Sequence, residues 1–233
     1  MTAALEAAQA GYEVNLVEKE PQLGGWLTKS AKLFPKKPPY RDLEPVDLES
    51  RVNELTNNER VQIFVGAEIE SISGQPGQFD VSLTTNGSTE QFRVGAIVQA
   101  TGAKPYDPSR LSHLGYGASA DVVTTNQLEK MLVTGELHCP SDGRAPGRIV
   151  FVQCAGSRDP EHLPYCSSEC CVTTLKQASV IRRDFPDVET AVEEIAELDV
   201  GRPTGGPLQV RVDDPGLLED LAHERFADRL AGF

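Results

Sequence analysis

The sequence lacks a hydrophobic run of membrane-spanning length, contains a single tryptophan and is poor in basic residues. No apolar stretch approaches the roughly 20 residues that cross a bilayer, and the N-terminus has no basic segment followed by an apolar run. We therefore expect no direct membrane insertion and a cytoplasmic location. The 22 Lys and Arg are outnumbered by 35 Asp and Glu, which gives a formal net charge of -13. Because phosphate binding needs clustered basic side chains, we expect no nucleic acid as a partner.

The five cysteines are unevenly distributed along the chain. Four of them lie within residues 154–171, whereas Cys139 stands apart. Secreted domains spread their cysteines as a disulfide framework, while clustered cysteines in a cytosolic protein are typical of metal or redox sites. The grouping therefore indicates metal or redox chemistry.

The N-terminal segment predicts half of a dinucleotide-binding unit. Residues 1–10 predict a helix that ends at Gly11, and residues 12–19 predict a buried parallel strand. Glu18 closes this strand, at the place where an acid commonly binds the adenosine ribose. The glycine loop that cradles pyrophosphate is absent, since Met1 stands just after the position of its third glycine. Taken alone, an acid at a strand end is usually a solvated residue.

The remaining segments predict a small antiparallel sheet, which belongs to the first domain, and a second unit after it. In chain order we predict a helix at 47–57, strands at 61–65, 68–73, 78–85, 90–94 and 96–100, a helix at 125–133, a strand at 148–153 and a helix at 171–184. Asn86-Gly87 predicts a tight hairpin, because both turn residues tolerate positive φ.

The segment AGYEVNLVEKEPQLGG resembles the second strand and following loop of two-dinucleotide-binding flavoproteins. The resemblance implies that Glu18, with Lys19 beside it, binds the ribose of FAD, and that Gly24 and Gly25 lie near its phosphates. It also implies that the Thr101-Gly102 step passes close to the cofactor. Read without the resemblance, the glycine pair is an ordinary turn and Thr101-Gly102 is a strand end.

The cysteines Cys154, Cys166, Cys170 and Cys171 form a C-x11-C-x3-C-C pattern. Four thiolates can hold a 4Fe-4S cluster when a loop wraps it, without regular spacing. A structural zinc site normally uses two C-x2-4-C pairs, and the adjacent Cys170-Cys171 pair fits that pattern poorly. A vicinal disulfide of this pair would be strained. The pattern favours a ligand site, with zinc and thiol redox chemistry as the alternatives.

The segments RIVFVQCAGSRD and LPYCSSECCVTTLKQASVIRRDFPD resemble the cluster-binding region of heterodisulfide reductase A subunits. They are also similar to the A and B subunits of the quinone-interacting membrane-bound oxidoreductase complex. The resemblance covers residues 1–186 and implies an α/β fold of the two-dinucleotide-binding, thioredoxin-reductase-like, Rossmann type. It implies a 4Fe-4S cluster on the four cysteines, FAD as electron partner, and other subunits of such an anaerobic redox complex as partners.

Two departures from this family pattern modify the expectations. Without the glycine loop, we expect FAD binding to be impaired. Residues 187–233 are acidic and contain no apolar run of strand length, so we expect them to contribute little to the fold. The predicted domains are 1–105, a partial FAD-binding domain, 106–186, a second unit with the cysteines, and 187–233, a tail from a frameshift or fusion. A truncated gene fragment would explain both departures.

Two other functions stay open at this point. A pyridine-nucleotide-dependent flavin reductase would need a glycine loop after Val152, where Cys154-Ala155-Gly156 offers one glycine. A zinc-stabilised, non-enzymatic interaction module is the other alternative. No catalytic acid, base or nucleophile can be assigned, and the sequence predicts that His113, His138 and His162 are surface residues.

Overall fold

The computed structural model describes residues 1–35, 37, 42–85, 87–194 and 210–211. These residues fall into two compact units. The first comprises Met1–Lys29 and Asp47–Lys104, and the second comprises Ser30–Val46 and Pro105–Phe233 as far as this range is described.

The first unit begins with helix α1 (Thr2–Gln9), strand β1 (Val14–Val17), helix α2 (Leu48–Thr56) and strand β2 (Val61–Phe64). The two strands are parallel, with Val14 opposite Val61 and Val17 opposite Phe64. The Ala and Leu residues of α1 recur at helical spacing and bury one face. This face packs in a buried apolar cluster of the first unit, which consists of Ala4, Leu5, Leu23 and Leu55. The predicted helices and strands of this segment are confirmed, with β1 shorter at both ends.

A three-stranded antiparallel sheet follows in the same unit. It consists of β3 (Ala67–Gln75), β4 (Gln78–Thr85) and β5 (Ser88–Val94), in that spatial order. Thr85 pairs with Ser88 across the predicted hairpin, of which Asn86 lies outside the described residues. Val81 and Leu83 of the central strand are buried, as expected when alternate side chains face one side. The predicted small antiparallel sheet is confirmed.

The predicted strand at residues 96–100 is wrong. The chain is irregular there, and Val98 is 73% exposed. A strand is stable only when its backbone groups pair with a neighbour, and no strand among the described residues pairs with this run. Local apolar character predicted a buried strand, but pairing decides whether a strand forms.

The second unit contains helix α3 (Thr125–Thr134), strand β6 (Arg148–Gln153), helix α4 (Cys170–Asp184) and strands β7 (Glu189–Glu194) and β8 (Val210–Arg211). Thr124 and Gln127 form a capping box at the start of α3, and Gly135 ends the helix with φ of +74°. The buried apolar core consists of Leu128, Leu132, Leu137, Phe151, Ala178, Val180 and Ile181.

The expectation that no strand follows Pro186 is also wrong. Strand β7 pairs in parallel with β6 along its whole length, from Arg148 opposite Glu189 to Gln153 opposite Glu194. Strand β7 is the middle strand of its sheet, because it also pairs antiparallel with β8. The pairing uses backbone groups, so such a strand can form without a continuous apolar run, and Val192 packs against the core. Beyond Glu194, only residues 210–211 of the predicted acidic tail are among the described residues.

A buried polar network joins α3 to α4. Glu129 Oε1 accepts from Lys176 Nζ at 2.7 Å and from the backbone N–H of Ala31 at 2.9 Å. Its Oε2 accepts from Gln177 Nε2 at 2.7 Å. Glu129 and Lys176 are 7% and 9% exposed, so each charge depends on the other for compensation.

The helices are short relative to a bilayer crossing. The longest helix in the described part of the chain, α4, has 15 residues. Within the described ranges, no helix has both the length and the apolar character to span a membrane.

Candidate functional site

The four grouped cysteines lie where a parallel strand meets the next helix. Cys154 follows the last residue of β6, and Cys170 and Cys171 are the first residues of α4. Cys166 lies in the loop between them and is exposed, whereas Cys154 is buried. No disulfide joins any of the five cysteines, all of which are described. This position, at a strand end and a helix start, is where Rossmann-type units bind anionic groups.

The loop that carries the cysteines contains unusual backbone conformations. Cys154, Arg158 and Ser168 have φ of +57°, +58° and +65°, and they are the only such non-glycine residues in the described part of the chain. Each costs about 1–3 kcal/mol and persists only where the surrounding structure holds it. Strain of this kind collects at functional sites, so its confinement to the cysteine loop supports a functional role.

The geometry of the site stabilises a thiolate at Cys170. The side chain of Cys171 donates a hydrogen bond to it, and the Ser167 hydroxyl and the backbone N–H groups of Cys154 and Cys171 add to this. Together these donors outweigh partial burial and lower the pKa of Cys170 to about 5. The N-terminal end of α4 favours the same negative charge.

The other two sulfurs also receive donors. The backbone N–H of Ser168 donates to Cys166 Sγ at 3.4 Å, and Arg158 Nη1 donates to Cys154 Sγ at 3.8 Å. Soft thiolates that accept N–H groups fit an iron-sulfur cluster or another thiophilic metal group. Among the described residues, however, no three His, Cys, Asp or Glu side chains are gathered in a metal-binding arrangement. The structure therefore places Cys170 against Cys171 and the Cys154 backbone, and the four-thiolate set stays a prediction.

We expect Cys170 to react with iodoacetamide in weakly acidic solution. Only the thiolate reacts, and the lowered pKa keeps Cys170 deprotonated down to about pH 5. Its alkylation rate in metal-free protein should fall only as the pH drops through that value. In urea the same cysteine should lose reactivity below about pH 8.5, the ordinary range of a free thiol. Identical pH profiles in both states, measured by peptide mass spectrometry, would contradict this geometry.

The residues predicted to hold the flavin lie in the first unit. Glu18 follows β1, and its carboxylate accepts the backbone N–H of Glu20 at 2.9 Å. Lys19 forms an exposed ion pair with Glu68 at 3.2 Å. Glu18 is thus at the predicted strand end, while the side chain of Lys19 engages a neighbouring strand.

Trp26 connects the two glycine-containing segments predicted near the flavin. It follows Gly24 and Gly25 in a 3-10 turn, and its indole Nε1 donates to the carbonyl of Ala103 at 3.4 Å. A Cβ added to Gly102 would lie 3.9 Å from the indole ring. The structure therefore brings Gly24-Gly25 close to Thr101-Gly102. Sequence reasoning missed Trp26, although it is the single tryptophan and adjoins the glycine pair.

His162 is not the surface residue that the sequence predicts. Its side chain is 16% exposed, and its Nδ1 lies 2.5 Å from Tyr106 Oη. His138, by contrast, is hydrogen-bonded through Nδ1 to the carbonyl of Glu136 at an exposed position. The contact of His162 with Tyr106 spans 56 positions, so no local pattern could have revealed it.

Comparison with known proteins adds to this geometry. Residues 1–135 match the pyridine nucleotide-disulphide oxidoreductase family. One of the iron-sulfur A subunits of the Methanopyrus kandleri CoB--CoM heterodisulfide reductase is 27% identical over 80% of this chain and 40% of its own length. The corresponding Methanocaldococcus jannaschii protein is 27% identical over 82% and 41%. In Methanothermobacter marburgensis, the A subunit of the H(2):CoB-CoM heterodisulfide,ferredoxin reductase is 39% identical over 44% and 16%. The chain thus spans about two fifths of the first of these relatives.

Proposed function

Because this chain belongs to the pyridine nucleotide-disulphide oxidoreductase family, we propose that it is a flavin and iron-sulfur electron-transfer polypeptide. The expected oxidoreductase family and Rossmann-type fold class are confirmed by that match, and the expected similarity to heterodisulfide reductase A subunits is confirmed by the curated relatives. The cysteine loop carries the proposal, since its strained backbone positions and its stabilised thiolate lie between the end of β6 and the start of α4.

The proposed 4Fe-4S cluster is held by Cys154, Cys166, Cys170 and Cys171. When bound, such a cluster supplies one-electron transfer at a potential set by ligands, hydrogen bonds and burial. This chain contributes the thiolates, the Ser168 N–H donated to Cys166 and the Arg158 guanidinium near Cys154. Both donors reduce the negative charge on sulfur and thereby raise the reduction potential.

The proposed FAD site uses Glu18, Lys19, Gly24, Gly25, Thr101 and Gly102. A flavin supplies two-electron chemistry that can be divided into single-electron steps, and the protein positions it and excludes water. Glu18 would accept from the ribose hydroxyls in exchange for the Glu20 N–H that it now accepts. Trp26 keeps the two glycine-containing segments in place through its contact with Ala103.

The partners and location are proposed on the same basis. The relatives are named as subunits of heterodisulfide reductases, so we propose that this chain works with other subunits of a similar complex, in the cytoplasm. Four cysteines grouped within residues 154–171, rather than spread along the chain as a disulfide framework, support a reducing compartment. The quinone-interacting complex remains a prediction from sequence resemblance.

Anaerobic reconstitution with iron, sulfide and FAD tests the proposed function. We expect about four iron and four sulfide per chain, with the broad visible absorbance of a 4Fe-4S cluster. Stoichiometric zinc without iron uptake would instead support the interaction module. Reduction of bound flavin by a nicotinamide cofactor in cluster-free protein would support the flavin reductase.

Alanine at Gly24 should weaken FAD binding more than alanine at Gly25. Gly24 has φ of +125°, and a Cβ there would lie 2.7 Å from Thr28 Cγ2 and 2.9 Å from Leu48 Cδ2. Gly25 has φ of +51° and no atom within 4 Å of an added Cβ, so it is a matched control. We expect Gly24→Ala to lower affinity at least about tenfold, which is about 1.4 kcal/mol, in flavin fluorescence titrations. Equal losses in the two variants would show that the backbone of Gly24 does not shape the site.

A further inference from the structure

The chain between Cys154 and Cys166 folds back on itself. The N–H of Ser157 donates to the carbonyl of Cys154 at 3.0 Å, and the N–H of Leu163 donates to the carbonyl of Gly156 at 3.1 Å. The N–H of Arg158 donates to the carbonyl of Tyr165 at 3.1 Å and continues the pairing. These hydrogen bonds define a narrow loop, here called the cysteine hairpin (residues 154–166), which holds Cys154 and Cys166 at its two ends.

Tyr106 contacts both sides of the cysteine hairpin from a distant part of the chain. Its Oη lies 2.5 Å from Nδ1 of His162, and the two rings meet edge to face with centroids 5.7 Å apart. On the other side its ring packs on Gly156, which has φ of +78°. A Cβ added to Gly156 would lie 2.8 Å from two carbons of the Tyr106 ring. The contact therefore requires glycine at position 156.

Neighbouring side chains hold the Tyr106 and His162 rings in place. The guanidinium of Arg110 lies 5.5 Å from the Tyr106 ring centroid, within the range of a cation–π contact. Asp159 Oδ2 lies 4.0 Å from Nε2 of His162, on the side of the imidazole opposite Tyr106. Tyr106, His162 and Asp159 thus form a continuous row along the hairpin.

We infer that Tyr106 is a positioning residue that latches the cysteine hairpin closed through His162 and so sets the places of Cys154 and Cys166. The inference rests on the proposed function for the use of these thiols as ligands. A metal cluster tolerates little displacement of its ligands, and side chains in the surrounding shell hold them in register. Tyr106 ties Gly156 and His162 to one side chain from outside the hairpin, so its loss would free both sides of the loop at once.

The test uses Tyr106→Phe, which removes one oxygen and keeps the ring against Gly156. Tyr116→Phe is the matched control, because Tyr116 lies in the same segment before α3 and pairs locally with Ser119. Alkylation of each cysteine is followed by mass spectrometry in metal-free protein, and iron content is measured after reconstitution. We expect Tyr106→Phe to raise the alkylation rate of buried Cys154 roughly 5- to 30-fold, the effect of one or two kcal/mol, with Cys139 unchanged.

A double-mutant cycle distinguishes the latch from general loosening. His162→Phe keeps a ring but has no nitrogen, so Tyr106→Phe should add nothing to it if the two act through one hydrogen bond. Unchanged Cys154 alkylation in Tyr106→Phe, additive effects in the cycle, or a parallel rise at Cys139 would each overturn the inference. Alkylation of metal-free protein tests the latch independently of any cluster, whereas iron uptake tests the proposed function. If the wild-type chain took up no iron while the variants showed the coupled change in Cys154 alkylation, the proposed cluster would be refuted and the latch would be retained.

Discussion

Replacing Glu129 by alanine is expected to destabilise the second unit by about 3–5 kcal/mol. The change leaves the Lys176 ammonium 2.7 Å from an emptied position, with only 9% of the residue exposed. An uncompensated charge in such surroundings costs far more than the loss of one surface ion pair. Urea unfolding followed by far-UV circular dichroism would measure the loss. Glu136→Ala, at an exposed position just after α3, is the control and should change stability by less than about 0.5 kcal/mol.

Removing both charges should be less harmful than removing Glu129 alone. In Glu129→Leu with Lys176→Met, no charge remains buried, and such apolar replacements are often close to neutral. The recovery should be incomplete, because the Ala31 N–H and Gln177 Nε2 still lose the oxygens that accept from them. If the double variant were as unstable as the sum of its single variants, the two charges would not compensate each other.

Serine at Cys170 is expected to abolish cluster assembly. A serine hydroxyl is a harder ligand and stays protonated at neutral pH, so it cannot replace the thiolate whose pKa the site lowers to about 5. Iron and sulfide analysis after anaerobic reconstitution, with electron paramagnetic resonance of the reduced protein, would measure the loss. Cys139→Ser is the matched control, since Cys139 lies in a separate turn, where its N–H donates to the carbonyl of Arg144.

The same substitution at the other cysteines tests the ligand set. Cys154→Ser and Cys171→Ser should lose the cluster as completely as Cys170→Ser, because each thiolate holds one iron. Cys166 is the exposed member of the set. Full iron content in Cys166→Ser would show that only three cysteines of this chain bind the cluster. Full iron content in the Cys170 variant would show that the cysteine loop does not bind the cluster.

The local elements of the fold were predictable because their signals lie within a few residues. Alanine and leucine content with Gly11 at the end predicted α1, and strand-like runs with the Asn86-Gly87 turn predicted the antiparallel sheet. Thr124 and Gln127, which form the capping box of α3, are also only three residues apart. The cysteine loop was predictable for the same reason. Four cysteines that are close in sequence were expected between a strand and a helix, and the structure places them there. The gathering of all four thiols around one cluster stays a prediction.

Long-range pairing explains the two wrong predictions about strands. The apolar run at 96–100 has strand composition but no described strand beside it, whereas the acidic segment of β7 forms a strand because β6 supplies a parallel neighbour. Strand formation depends on a partner as much as on composition, since the backbone groups of a strand form hydrogen bonds with a neighbouring strand from another part of the chain.

By itself, the sequence determined most of the helices and strands up to α4, the oxidoreductase family and the grouping of the four cysteines. Tertiary structure alone decided how the grouped cysteines are supported. Glu129 meets Lys176 across 47 positions, and Tyr106 meets His162 across 56. Such contacts leave no periodic trace, because each arises only when separately formed elements pack and bury polar atoms that then require partners. The backbone strain at Cys154 belongs to the same category, since it persists only where the folded surroundings hold it.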